Sequence, residues 1–90
     1  MEEIFLDKKL FERERNEYRT RVSEAADQRE RAEAALLELA RSGERNPTYT
    51  MALVEKVGRE SRRIRAWRVE IARYDDLISR MERVRELEAH

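Results

Sequence analysis

His90 is the only histidine of the chain, cysteine is absent, and Ser23, Ser42, Ser61 and Ser79 have no histidine near them in sequence. A serine nucleophile needs a positioned base beside it, and a terminal histidine does not supply one. Carboxylates are plentiful, but each has an arginine close by. A solvated carboxylate next to arginine stays ionised rather than poised near neutrality to carry protons. Metal chemistry lacks its ligand set, because bundle metal sites use inward glutamates with Glu-x-x-His pairs. The two glycines, Gly43 and Gly58, stand alone and make no phosphate-cradling loop. These residues imply no enzyme, no catalytic residue, no cofactor and no metal.

Arginine offers a different chemistry. Arg59, Arg62, Arg63, Arg65 and Arg68 flank Trp67 within ten residues. Arginine-rich helices grip phosphates, and tryptophan stacks on bases, so these five residues are candidate nucleic-acid contacts. Against that reading, Trp67 falls on an apolar ladder, and Glu24, Asp27 and Glu30 stand at matching heights to soften the local field. Lys and Arg total 20, as do Asp and Glu, giving a net charge of zero and no global pull on nucleic acid or an anionic membrane. Nucleic acid is the disfavoured alternative, and the basic stretch reads first as a solvated charged face.

The elements that carry these residues follow from periodicity. Charged residues make up 44% of the chain and aromatics 7%. Disorder usually accompanies large net charge and absent periodicity; here the charge is balanced and the heptad pattern strong, the composition of a coiled coil. Ile4, Phe11, Tyr18, Ala25, Ala32 and Leu39 form one seven-residue ladder, taken as heptad position d. Lys8, Arg15, Val22, Arg29 and Leu36 occupy a. Further on, a is Val57, Ile64, Ile71 and Ile78, and d is Leu53, Glu60, Trp67, Tyr74 and Met81. A strict seven-residue repeat implies left-handed supercoiling.

Turn signals gather in one place, Ser42-Gly43-Glu44-Arg45-Asn46-Pro47. Gly43 suits the position just past a helix, where positive φ is cheap for glycine. Asn46 then Pro47 reads as a helix cap and first helical residue. One helix is expected over about 2–42, a turn at about 43–46 and a second helix over about 47–89, within a single domain of residues 1–90. Glu2 and Glu3 favour the first helix's positive end, and Arg83, Arg85 and His90 the second helix's negative end.

Folded at the turn, the ladders match. Leu36 meets Leu53, Ala32 meets Val57, Ala25 meets Ile64, Val22 meets Trp67, Tyr18 meets Ile71 and Phe11 meets Ile78. The expected fold is therefore all-α: two long helices in an antiparallel coiled-coil hairpin, with dimerisation into a four-helix bundle as an available extension. Arg29 and Glu60 fall opposite each other and are expected to form a register-setting ion pair, a better-attested use of buried charge than stability. On the flanks, Arg21 can pair with Glu70, while Arg19 approaches Arg68 and Glu12 approaches Asp75. Gly58 is expected to face solvent.

Near the open end, Phe5, Leu6, Leu10, Leu77, Val84 and Leu87 exceed what one hairpin can hide. Clustered exposed apolar groups mark a contact surface, so this cluster is the expected partner or dimer surface. No apolar run approaches the roughly 20 residues that span a bilayer, and no basic helix shows the broad apolar face of a membrane binder. The start, Met-Glu-Glu-Ile-Phe-Leu-Asp-Lys-Lys, is too acidic for a secretory signal, so a cytoplasmic location is expected. The function expected is a non-enzymatic protein–protein interaction module: an assembly adaptor, a small chaperone or a regulator, bound to another protein or to a second copy. Alternatives are an arginine-rich nucleic-acid-binding hairpin and a structural coiled-coil segment of a larger protein. The architecture is common to many unrelated proteins, and no residue motif here selects a function among them.

Overall fold

Gly43 reverses the chain with φ +71°, the left-handed conformation that glycine adopts without a Cβ penalty. A computed structural model describes the backbone of residues 2–89 and the side chains of residues 6–89. Helix α1 spans Glu2–Ser42 and helix α2 spans Pro47–Glu88. The side chains of Ile4 and Phe5, and all of His90, lie outside the described residues.

Each end at the turn is closed by the residue types the sequence supplies there. The Gly43 N–H donates to the Leu39 carbonyl at 3.2 Å. Ser42 Oγ donates to the same carbonyl at 3.1 Å and accepts from the Glu44 N–H at 3.3 Å. Across the turn, Asn46 Oδ1 accepts from the Tyr49 N–H at 3.1 Å, and Pro47 opens α2 where no donor is needed. At its far end α2 stops at Glu88, one residue short of the expected boundary. Ala89 caps it through its N–H to the Arg85 carbonyl, an ordinary displacement for a fraying terminus.

The two helices lie side by side as a rod with extents of 67 × 17 × 14 Å. Its radius of gyration is 20.0 Å, against about 12 Å for a compact chain of this length. Every ladder residue from Lys8 to Leu39 and from Leu53 to Met81 is buried or half-buried. Among the described residues, full burial is confined to Ala25, Ala32, Leu53, Ile64 and Ile78 among apolar residues, joined by Glu60. Small alanines on α1 leave room for branched residues of α2, the alternation that lets layers interlock. The seam is one side chain thick. No helix among the described residues is long and apolar enough to cross a membrane.

The two glycines should respond in opposite directions to alanine. At Gly43 nothing lies within 4 Å of an added Cβ, but the positive φ strains it, so Gly43→Ala should destabilise by about 1 kcal/mol. Gly58 is half-buried inside α2, and its added Cβ meets only the mobile end of the Arg62 guanidinium, at 3.3 Å. Gly58→Ala should therefore stabilise by roughly 0.5–1 kcal/mol through helix propensity. Thermal melts followed by circular dichroism check both; a loss at Gly58 would show that its backbone freedom is needed.

Candidate interaction surface

A heptad seam has two edges, and this hairpin treats them differently. Side chains at a lean toward one flank, and those at d toward the other. Along the first flank the helices are joined by charge. Lys8 Nζ reaches Glu82 Oε1 at 3.1 Å. Arg15 Nη1 donates to Asp75 Oδ1 at 3.1 Å, and Arg19 Nη2 approaches the same oxygen at 3.6 Å. Arg29 Nη1 donates to Ser61 Oγ at 3.4 Å. Lys8, Arg15 and Arg29 are all a residues, and their partners sit beside the opposing ladder. Lys8 and Arg15 keep only 18% and 20% of their side chains exposed, so their long stems lie in the seam while their heads reach acids on its rim. The Arg15 Nε is buried without a hydrogen-bond partner.

The second flank has no ion pair between helices among the described residues. Glu60, only 5% exposed, turns to this side, where Arg63 Nη1 donates to its Oε1 at 3.2 Å and Arg59 Nε stands 3.7 Å away. Both arginines belong to α2 itself. A shallow groove here is lined by Arg21, Glu24, Gln28, Glu60, Arg63 and Trp67.

The expected Arg29–Glu60 pair is thus corrected. The two residues stand at one height but leave the seam by opposite edges, as an a and a d residue do. Arg29 is held by Ser61 and, at 3.8 Å, by Glu33 of its own helix. Three flank expectations change as well. Arg21 lies over the Tyr18 ring at 5.2 Å, and Glu70 pairs with Arg73. Asp75 draws in Arg19, and Glu12 pairs with Lys8 at 3.5 Å. The cross-helix pairs at Lys8 and Arg15 were missed by face-to-face matching, although an acid one residue beyond the opposing seam position was a readable signal for each.

Tyr74 packs between Phe11 and Tyr18, with ring centroids 6.0 and 5.9 Å away. Its phenol is pushed up from 10.0 to about 12, first by a hydrogen bond to Glu14, then by burial and by the charges of Glu14, Tyr18 and Glu70. The hydroxyl keeps its proton because the neighbourhood is already anionic.

The open-end cluster sits together. Heptad position places Leu10, Leu77, Val84 and Leu87 on the Glu60 flank, with Leu6 on the adjoining back of α1 one turn before Leu10. Leu6 is 63% exposed, Leu10 38%, Val84 45% and Leu87 72%, while Leu77 is half-buried. Phe5, the sixth member expected, has a side chain outside the described residues. The arginines do not converge. Arg59 and Arg63 turn to Glu60, Arg65 and Arg68 line a groove on the opposite flank with Arg29 and Ser61, and Arg62 lies near Gly58. A smaller exposed group that sequence reading did not assemble, Leu37, Met51 and Val54, lies near the turn on the Ser61 flank. No protein-family model matches this chain, and no curated protein or solved structure does either.

Three outcomes follow from this geometry. Arg15→Asp and Asp75→Arg should each cost about 1–2 kcal/mol, between the values for exposed and dry pairs, and the double swap should recover most of the loss. Arg29→Glu combined with Glu60→Arg should recover nothing, because the two charges do not meet; melting curves of both cycles decide. The Tyr74 phenol has a folded value above that of the unfolded chain, so its contribution to stability is complete below pH 10 and is lost as pH rises toward 12. In a phenolate absorbance titration Tyr74→Phe should remove the last-titrating tyrosine; survival of that step would assign it to another residue.

Proposed function

We propose that this hairpin is a non-enzymatic protein–protein interaction module of the cytoplasm, working by presenting the open end of its Glu60 flank to another helical surface. One observation carries the reading. Leu6, Leu10, Val84 and Leu87 are exposed at a single end of a molecule in which five apolar residues are buried among those described. Scattered exposed leucines need no explanation, but a group of this kind on one face marks a contact surface. Burying each would contribute on the order of 1–2 kcal/mol, a useful share of the stability of so thin a fold. The mode that suits a rigid apolar helix edge is completion of a helical bundle or a groove.

The reading is tested by charging the patch without touching the seam. Leu10→Glu/Leu87→Glu should keep the helicity and melting point of the parent chain but sediment as a smaller species, or lose a partner the parent retains. Identical mass and identical partners for the parent and the variant would overturn it.

A further inference from the structure

The occupant of that surface can be read from what lies beside it. The Glu60 flank differs from the Ser61 flank in that its ion pairs form within α2 rather than across the hairpin. Glu70 goes to Arg73, Arg63 to Glu60, and Arg80 to Asp76. All of the ion pairs between the helices lie on the other flank among the described residues. One edge of the hairpin is closed by charge. The other carries an apolar end and charges that make no ion pair with the facing helix among the described residues.

We infer that a second copy of this chain covers the Glu60 flank, with both open ends at the same end of a four-helix bundle and α1 of each copy lying along α2 of the other. The inference rests on the proposed contact role of the open end and adds the identity and orientation of the partner. In this arrangement the two apolar clusters meet, so Leu10 of one copy faces Leu77 of the other. Down the flank, Asp7 comes level with Arg80, Glu14 with Arg73, Arg21 with Glu70, and Glu24 with Arg63. Opposite charges are set at four successive heights by one rotation about the rod axis. A second copy therefore offers each of these charges an opposite one at its own height, and a two-fold interface repeats each pair.

The reversed arrangement, with open ends at opposite ends, fits less well. It lays α1 along α1 and matches Glu14 with Arg31, Arg21 with Glu24 and Arg63 with Glu70, but it leaves Leu77 on Lys56 and sets Asp7 against Glu38, so the apolar ends do not meet. Toward the turn, the aligned arrangement brings Arg31 of one copy near Arg59 of the other. Contact is accordingly tightest at the open end and loosens toward Gly43.

The chain has no cysteine, so single thiols report neighbours between molecules. Arg21→Cys and Glu70→Cys proteins are mixed in equal amounts and oxidised. A disulfide joining the two, lost when both chains also carry Leu10→Glu and Leu87→Glu, is the expected result. Each of three results overturns the inference. A disulfide between Glu14→Cys and Arg31→Cys chains would show the reversed arrangement. One between Arg19→Cys and Asp75→Cys chains, on the opposite flank, would show that the arms are exchanged between molecules. A parent chain that sediments as a monomer and forms no disulfide would rule out the second copy. In that last case a patch-dependent foreign partner still supports the contact surface, so the two readings fail separately.

Discussion

Reversal of the chain at Gly43 forces α1 and α2 to share a seam one side chain thick, and the remaining features follow from that narrowness. A seam this thin cannot enclose a long charged residue. Lys8, Arg15, Arg29 and Glu60 each lie against the facing helix with their stems and leave it with their heads. The direction of exit is set by heptad position: a residues leave by the Ser61 flank, d residues by the Glu60 flank. Three of the four are cations at a, so one flank collects positive heads and finds acids on its rim. Glu60 is alone at d, and its own helix supplies its counter-charges. The asymmetry of the two flanks is therefore a consequence of where cations were placed in the repeat, with no need for any irregularity of the backbone.

Register is a matter of the same geometry. An apolar seam with period seven tolerates a slip of a whole heptad, because valine, isoleucine and leucine are interchangeable at low cost. Cross-helix ion pairs do not tolerate it. Shifting α2 by seven residues one way brings Arg68 to Arg15, and the other way leaves Lys8 opposite Ala89 and sets Arg29 against Arg68. The alanines at 25 and 32 add a steric condition, since they leave space where Ile64 and Val57 need it. Charge on the Ser61 flank and small residues in the seam thus specify one alignment, a role for which polar groups at heptad positions are well attested.

Most of the backbone was legible in the residues. Asn46-Pro47 and Gly43 mark the turn because capping and positive φ are local properties, decided within three or four residues. The ladders give the buried face because heptad spacing is a one-dimensional signal. Matching residues by height, however, collapses the two edges of a seam onto one line. Arg29 and Glu60 then look like partners although an a and a d side chain diverge, and Arg21 looks like a partner for Glu70 although an aromatic face one turn away competes for it. The open-end cluster was legible as a set, but the placing of Leu10, Leu77, Val84 and Leu87 on one flank depends on the handed order of positions around the helix. The group formed by Leu37, Met51 and Val54 draws on both helices and is seen only when they are laid side by side.

The thinness of the core also bears on what such a chain is for. Ordering a residue costs on the order of 1–2 kcal/mol of backbone entropy, and long helices recover part of that through their own hydrogen bonds and i,i+4 pairs. The rest must come from packing. A two-helix seam buries one stripe per helix, whereas a bundle buries a stripe and a flank. An evolved hairpin that was meant to remain alone would carry charge on both flanks along its whole length, as the Ser61 flank does at the open end with Asp75 and Glu82. The Glu60 flank places Leu10, Leu77, Val84 and Leu87 there instead. Solvent exposure of Leu10, Val84 and Leu87 is a cost that a free monomer gains nothing from, and in the proposed contact it would be offset by a further helix completing the layer that Gly43 began by folding the first two together.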